Sequence, residues 1–217
     1  MTAPPARMTQ AQRSGRTRER LVTAAIDALY RFGYAAVSTT LVAELAGVSR
    51  GAMLHQFSTK AQLMAEVAET THQRNIAAYR SMLSRNSLTA EARLLTLLDV
   101  GWMRHGSPDG VAHDEIRSAT RSDPELAERV MPVLLRHAEE TQETFFRLMA
   151  AAGITDRPVS DALLTMAVAA LRGLALEKAL GQDEAQVEAA FQQLRRTLGA
   201  DIRDRLARTE EPGVIYV

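Results

Sequence analysis

Apolar residues recur at helical spacing along most of this chain, and short breaks divide them into successive segments. The first clear stripe covers Arg18–Phe32, and Gly33 ends it. Its apolar members lie at intervals of three, four and seven: Leu21, Ala25, Ala28, Leu29 and Phe32. No segment alternates with the period of a strand. The pattern therefore predicts an all-α fold of about nine helices.

Two short helices joined by a tight turn follow the first stripe. Ser38 or Thr39 can cap the first of them, and Gly47 ends it. Ser49 can cap the second, which covers Arg50–Phe57. Two helices connected by a glycine-containing turn form the unit that inserts its second helix into the major groove of DNA. The sequence therefore predicts a helix-turn-helix DNA-binding domain.

Neither short helix is long enough to be stable alone, so both are expected to pack on the first helix. The predicted shared core is Val22, Ile26, Phe32, Val42, Leu45, Val48, Met53 and Phe57. Ser58 and Thr59 can cap a long helix that runs to about Arg85. This helix joins the DNA-binding head to the rest of the chain without a linker.

The remainder of the chain predicts further helices between breaks. They cover Thr89–His105, Val111–Thr120, a segment opened by Asp123 and Pro124, residues 160–180, and a last helix that follows Asp183. A kink or break is expected at Pro132. The segment 160–180 is apolar nearly all round, so it is expected to be covered on two sides.

Charge is divided unequally along the 217 residues, although the formal net charge is zero. Residues 1–60 contain eight basic and three acidic residues, a balance of +5, and the remaining residues balance at −5. A basic module on an acidic body is typical of a domain-confined contact with a polyanion. The chain contains no cysteine, no signal-like leader and no run of 18 apolar residues, so a cytoplasmic protein with no membrane contact is expected.

The helix-turn-helix defines a set of expected DNA contacts. Helix N-termini at Ser38, Ser49 and Ser58 offer free N–H groups that favour an anion. Phosphate contacts are predicted for Ser38, Thr39, Thr40, Ser49 and Lys60. Contacts to base edges are predicted for the second helix, through Arg50, Gly51, Ala52, Leu54, His55 and Gln56.

Candidate chemistry elsewhere is sparse. His113, Asp114 and Glu115 are adjacent and would point in different directions on a helix, so no catalytic residue, metal site or cofactor is expected. Aromatic, methionine, histidine and arginine residues in the body indicate either core or a largely apolar effector pocket. The pocket alternative comprises Trp102, Met103, His105, His113, Arg117, Phe145, Met149 and Met166.

The segment Arg18–Tyr34, followed by the capped helix, G-V-S, the second short helix and T-K, resembles the DNA-binding domain of the TetR family of transcriptional regulators. The resemblance covers residues 18 to about 66. The family usually has an aromatic residue, most often tyrosine, where this chain has Leu54, so that tyrosine's phosphate contact does not carry over. The resemblance implies a homodimeric regulator, most often a repressor, that binds an inverted-repeat operator and is released by a small apolar or amphipathic effector.

The resemblance also implies that the last two helices pair across a two-fold axis. The expected dimer residues are Leu171, Leu174, Phe191, Leu194 and Leu198. We therefore divide the chain into a mobile basic arm (1–17), a DNA-binding domain (18–64), an effector-binding and dimerisation domain (65–208) and a tail (209–217). Two other classes remain open, a small-molecule carrier or enzyme with a vestigial helix-turn-helix, and a helical adaptor that binds protein through its head.

Overall fold

A computed structural model describes residues 9–83 and 88–210, and within these ranges the chain forms nine α-helices and no strand. The helices are α1 Gln10–Ala36, α2 Thr39–Ala46, α3 Arg50–Gln56, α4 Lys60–Leu83, α5 Ala90–His105, α6 Pro108–Ala119, α7 Pro124–Ala151, α8 Arg157–Ala179 and α9 Glu184–Glu210. The all-α prediction and the number of helices are confirmed. The chain divides into two compact units, and α4 and α7 each contribute to both.

Helix α1 begins earlier than the apolar pattern predicts. Thr9 caps it through a capping box, in which the Thr9 hydroxyl accepts from the Gln12 amide and the Gln12 side chain accepts from the Thr9 amide. Residues 10–17, predicted as part of a mobile arm, are therefore helical. Residues 1–8 lie outside the described ranges. Near the other end, Gly33 adopts a φ of 72°, which interrupts α1 before its last turn.

The first unit comprises residues 1–72 and 108–134. Its core joins α1, α2 and α3 to the start of α4 and to α6 and α7, around Leu21, Leu29, Val42, Met53, Phe57, Leu63, Ile116 and Leu126. The prediction that Phe32 and Leu45 belong to the core is wrong, because they are 44% and 42% exposed. Arg31 covers Phe32 instead, with its guanidinium carbon 4.8 Å from the ring centroid.

The second unit comprises residues 73–107 and 135–217, and its core is built mainly from α5, α8 and α9. Buried members include Leu94, Leu98, Met149, Leu163, Leu171, Phe191, Leu198 and Ile202. Ion pairs at the surface connect α5 to α9, namely Arg195 with Asp99 at 2.6 Å and Arg203 with Glu91 at 2.7 Å. Partly exposed pairs of this kind contribute little stability, so the apolar core holds the three helices together.

The division into units differs from the predicted domains in two respects, of which the first is that the first unit extends to His72 and not to residue 64. Helix α6 and the first part of α7 belong to the same unit as the helix-turn-helix, whereas the sequence assigns them to the body. Two backbone details also differ. Helix α7 continues through Pro132 without a break, and α9 extends to Glu210, so only residues 211–217 of the predicted tail lie outside the described part.

Helix α8 carries a row of exposed apolar and small residues, although the sequence predicts cover on two sides. Met166, Leu176 and Leu180 are 51%, 57% and 71% exposed. Together with neighbours on the same side they form what we call the α8 stripe: Ala162, Met166, Ala169, Gly173, Leu176 and Leu180. Among the described residues, α8 is the one helix whose length and composition would also suit a membrane span. A single chain therefore leaves one apolar side of α8 uncovered.

Candidate DNA-binding site

The turn between α2 and α3 is set by its caps. The Ser38 hydroxyl accepts from the Leu41 amide at 3.1 Å, and the Ser49 hydroxyl accepts from the Ala52 amide at 3.2 Å, which confirms both predicted N-caps. Gly47 ends α2 in the left-handed conformation, with φ 61°. The Arg20 guanidinium donates to the carbonyls of Ala46 and Gly47 and so satisfies the end of α2 from α1. The orientation of α3 is therefore fixed by backbone geometry as well as by the core.

Helix α3 is anchored on one side and open on the other. Met53 and the following Phe57 are buried, and they hold the helix against the first unit. The residues predicted to contact DNA lie outside this anchor. Seven of them are exposed: Ser38, Thr40, Ser49, Arg50, Gly51, Leu54 and His55; the other four are partly buried: Thr39, Ala52, Gln56 and Lys60. The structure thus brings most of the predicted set to the accessible surface of α2 and α3.

Gln56 has a partner that sequence reasoning missed. Its side-chain nitrogen donates to the Ser14 hydroxyl at 2.8 Å, which links the end of α3 to the early turns of α1. No pattern in the sequence indicates this contact, because residues 10–17 lack the apolar periodicity that marks a packed helix. The base-edge contact predicted for Gln56 therefore has to coexist with this hydrogen bond.

The basic residues of the head are not equally available to a polyanion. Arg18 forms a bidentate pair with Glu66, at 3.0 and 2.7 Å, and lies over the Phe57 ring. Arg20 caps α2, and Arg31 pairs with Asp27 at 3.2 Å. Arg50 differs, since within the described residues no hydrogen bond or ion pair involves its exposed guanidinium. The net charge of +5 on residues 1–60 therefore overstates the positive charge that α2 and α3 present at their surface. Arg50 supplies most of the positive charge there.

Lys60 is engaged inside the first unit. Its ammonium donates to the Tyr34 carbonyl at 2.8 Å and lies 3.6 Å from the centroid of the Tyr34 ring. Burial lowers the pKa of Lys60 from its ordinary value. The predicted phosphate contact of Lys60 stays a prediction, and the structure gives this ammonium a structural role that the sequence did not indicate.

Tyr34 is the centre of a polar cluster in the first unit, which we call the Tyr34 cluster: Tyr34, Lys60, Glu115 and Asp123. The Tyr34 hydroxyl donates to Asp123 at 2.6 Å, and the Tyr34 amide donates to Glu115 at 2.8 Å. Burial raises the pKa of Tyr34 well above its usual range, and the hydrogen bond to Asp123 adds to the shift. The hydrogen bond from Tyr34 in turn lowers the pKa of Asp123 below 3.8. Asp123 also caps α7, so the cluster connects the end of α1 to the starts of α4 and α7.

We expect Tyr34→Phe to lower the free energy of unfolding by about 1 kcal/mol at pH 7, because Asp123 loses a hydrogen bond in a partly exposed position. A carboxyl group whose pKa is lowered in the folded protein stabilises the fold at pH values above its unfolded-state pKa. This contribution is lost as the pH falls through the folded-state pKa. The difference in free energy of unfolding between Tyr34→Phe and the wild type should therefore shrink below about pH 3.8. Urea unfolding at pH 7 and pH 3 measures this. Tyr30→Phe, the same change at an exposed position of α1, is the control, and an equal loss in both variants contradicts the assignment.

The residues predicted for an effector pocket are distributed over both units. His113 and Arg117 belong to the first unit, where the His113 ring nitrogen lies 3.3 Å from the Thr71 hydroxyl and Arg117 is exposed. The other six belong to the second unit: Trp102, Met103, His105, Phe145, Met149 and Met166. Of these, Met103 and Met166 are exposed at the surface, and Met149 is fully buried. The sequence indicated which aromatic, methionine, histidine and arginine residues could line a pocket. It could not show which of them lie together in the fold.

Trp102 lies at the α5–α9 contact of the second unit. Its ring stacks on Phe191 with centroids 4.9 Å apart and an interplanar angle of 12°, and its indole N–H donates to Glu188 at 3.2 Å. Phe191 was predicted at the dimer interface. The structure instead buries Phe191, Leu171 and Leu198 in the core of their own chain, because α5 covers the face of α8 and α9 that carries them. Leu174 and Leu194 are partly buried beside the same core.

Two further features of the second unit were not indicated by the sequence. Tyr79 lies on α4 with its hydroxyl beside Gly101, and burial raises its pKa to about 12. A methyl group at Gly101 would come within 3.2 Å of that hydroxyl. An open cavity of about 350 Å³ lies at the α7–α8 turn and the end of α9, lined by Gly153, Ile154, Thr155, Asp156, Asp201, Asp204, Arg205 and Arg208. It contains none of the predicted effector residues.

A capped helix-turn-helix on a three-helix core, whose accessible second helix carries an arginine with no partner in the described part of the chain, defines a DNA-binding transcriptional regulator. The family profile described as "Bacterial regulatory proteins, tetR family" matches residues 21–67, which run from α1 into α4. Over these residues the match confirms the predicted resemblance of the helix-turn-helix domain to the TetR family of transcriptional regulators.

Similarity to known proteins extends over nearly the whole chain. The HTH-type transcriptional regulator CymR of Pseudomonas putida is 26% identical over 204 residues, which cover 94% of this chain and 98% of that protein. The crystal structure of a transcriptional regulator from Rhodococcus sp. Rha1 has a TM-score of 0.64 at 24% identity, covering 90% and 99% of the two chains. The multidrug binding protein EbrR, crystallised with imidazole, has a TM-score of 0.52 at 27% identity, covering 83% and 93%.

Proposed function

We propose that this protein is a homodimeric repressor in the cytoplasm that binds an inverted-repeat operator and is released by a small-molecule effector. The observation that carries the proposal is helix α3, which is anchored by buried Met53 and leaves Arg50 exposed without a partner among the described residues. An exposed guanidinium that is not used internally can bind a guanine through two hydrogen bonds. The remaining exposed residues of α3, Gly51, Leu54 and His55, would lie against neighbouring base edges.

Phosphate contacts are assigned to the hydroxyl groups around the turn. Ser38 and Ser49 each use an oxygen lone pair to accept a capping hydrogen bond, so each hydroxyl proton is free to point outward towards a phosphate. Thr39 and Thr40 follow Ser38 in the first turn of α2, where the helix dipole also favours an anion. Contacts to phosphate position the protein, and contacts to bases select the sequence. Lys60 would also contact phosphate only if its ammonium leaves the Tyr34 carbonyl.

The experiment that tests the proposal is selection of genomic DNA fragments by the purified full-length protein, followed by sequencing. We expect one enriched inverted repeat whose half-sites are separated by one helical turn, about 34–36 Å, or a multiple of it. Recovery of random fragments with no shared sequence would contradict the assignment of a specific operator.

The homodimer is proposed to form through the α8 stripe. Its members follow intervals of four, three, four, three and four residues from Ala162 to Leu180. This heptad-like spacing keeps a single seam on one side of a helix, which suits pairing with a second helix. Ala169 and Gly173 at the middle of the seam would let the two helices approach closely. In this dimer the α8 stripe of one chain packs against the α8 stripe of a second copy, as two-fold symmetry requires.

The effector site is proposed to lie in the second unit beside Tyr79, Gly101 and Trp102. The Tyr79 hydroxyl is buried beside Gly101, with the charge of Arg104 acting on it, and Trp102 follows Gly101 directly on α5. A pocket of mainly apolar walls with a few polar groups suits a small aromatic or amphipathic compound. EbrR, which is 27% identical, was crystallised with imidazole, and this is consistent with an effector of that size.

A compound that releases operator DNA should quench or shift the emission of Trp102, the only tryptophan of the chain. A tenfold loss of operator affinity requires about 1.4 kcal/mol of preference for the state that does not bind DNA, and operator DNA must weaken effector binding by the same factor. Titration of a library of small aromatic and cationic compounds, with and without operator, measures both. Unchanged emission, together with full affinity in Trp102→Phe, places the pocket elsewhere.

A further inference from the structure

Leu54 is the one large apolar side chain among the exposed residues of α3 that would lie against base edges. It is 47% exposed, one turn after Arg50 and three residues after Gly51, on the open side of a helix whose other side is anchored by Met53. A single exposed leucine on a protein surface is ordinary. Leu54 differs in its location, because it lies within the seven-residue helix that is proposed to enter the major groove.

The side chain of Leu54 limits what it can recognise. It has no hydrogen-bond donor or acceptor, so it can neither hold a phosphate nor bind the polar atoms of a base. The one apolar group that base edges present in the major groove is the 5-methyl group of thymine. A partner for Leu54 in DNA is therefore a thymine methyl, and no other base offers an equivalent contact.

The surroundings of Leu54 allow a base edge to come close. A methyl group placed on Gly51 would meet nothing within 4 Å, so the surface beside Leu54 is open. Arg50 and Leu54 are four residues apart, and side chains at this spacing lie about 5–6 Å from each other on one face. Base pairs are stacked about 3.4 Å apart, so the two side chains would contact positions within about two base pairs.

We propose that Leu54 reads the 5-methyl group of one thymine in each operator half-site, within two base pairs of the guanine bound by Arg50. The proposal rests on the proposed function, because it requires α3 to lie in the major groove. It adds a specificity element that carries no hydrogen bond. Burying one methyl group contributes about fourfold to affinity, so a dimer that contacts two such thymines gains about fifteenfold.

Single thymine-to-uracil substitutions in the selected operator test the proposal, since uracil lacks only the methyl group. We expect one thymine per half-site at which uracil weakens binding of the wild-type protein about fourfold, as measured by fluorescence anisotropy. Leu54→Ala should bind the thymine and uracil operators equally at that position. Leu45→Ala removes a leucine of similar exposure, 42%, from α2 and should keep the fourfold preference.

Two outcomes overturn the proposal. Uracil at every thymine position can leave wild-type affinity unchanged, or Leu54→Ala can retain the same preference as wild type. Both occur with specific operator binding intact, so they are distinguishable from failure of the proposed function, in which no enriched operator is recovered. Circular dichroism of Leu54→Ala checks that the exposed substitution leaves the helical fold unchanged.

Discussion

Leu176→Glu is expected to give a stable monomer that binds operator DNA at least a hundredfold more weakly than the wild type. Leu176 lies in the α8 stripe and is 57% exposed in one chain, so the substitution does not disturb the core. In a dimer it would place two carboxylates in an apolar seam, where each buried charge costs several kcal/mol. Sedimentation equilibrium and gel-shift titration measure the two effects.

Leu135→Glu is the matched control for this prediction. Leu135 is 56% exposed in the same unit and lies on α7, outside the α8 stripe, so the same chemical change should leave the dimer and operator affinity intact. A dimeric Leu176→Glu protein would mean that another surface holds the two copies together. Phe191→Glu is less informative, because Phe191 is buried and its replacement would unfold the second unit.

Arg50→Ala should weaken operator binding by about 1–3 kcal/mol, or about fivefold to 150-fold, and relax the preference at one base pair of each half-site. The reason is that Arg50 is exposed on α3 and has no internal partner among the described residues. Binding of random DNA should fall much less, since that affinity comes mainly from phosphate contacts. Titration of operator and of random duplex at two salt concentrations separates the two effects.

Arg121→Ala provides the control for charge alone. Arg121 is exposed in the turn between α6 and α7, and its removal changes the net charge of the protein by the same amount. Operator affinity should then fall slightly and equally for all sequences. Equal losses on operator and random DNA in Arg50→Ala would show that this guanidinium binds phosphate and does not select a base.

The helices were predictable because their ends carry local chemical signals. Thr89, Asp123 and Asp183 each cap the helix that follows, as their positions before apolar stripes indicate. Helical periodicity could not determine which side of a stripe meets the core. Phe32 and Leu45 fit their stripes, yet both are exposed. Sequence spacing fixes the faces of a helix, and tertiary packing decides which of them is covered.

The geometry of the helix-turn-helix was predictable from the sequence, whereas the packing of the body was not. Caps, glycine and a short second helix lie within a stretch of some twenty residues, so local sequence determines the turn. The Tyr34 cluster and the Ser14–Gln56 hydrogen bond join residues between 26 and 89 positions apart, and no single-sequence pattern reports such pairs. The same reason explains why Phe191 and Leu171, assigned to the dimer interface from their helices alone, are buried in their own chain.

Helices α4 and α7 each contribute residues to both units. Helix α7 lacks one backbone hydrogen bond that α4 retains. Pro132 has no N–H group, so it donates no helical hydrogen bond to the carbonyl of Glu128. Helix α4 contains no proline. Because a helix resists bending through its backbone hydrogen bonds, α7 should bend more readily near Pro132 than α4 does along its length.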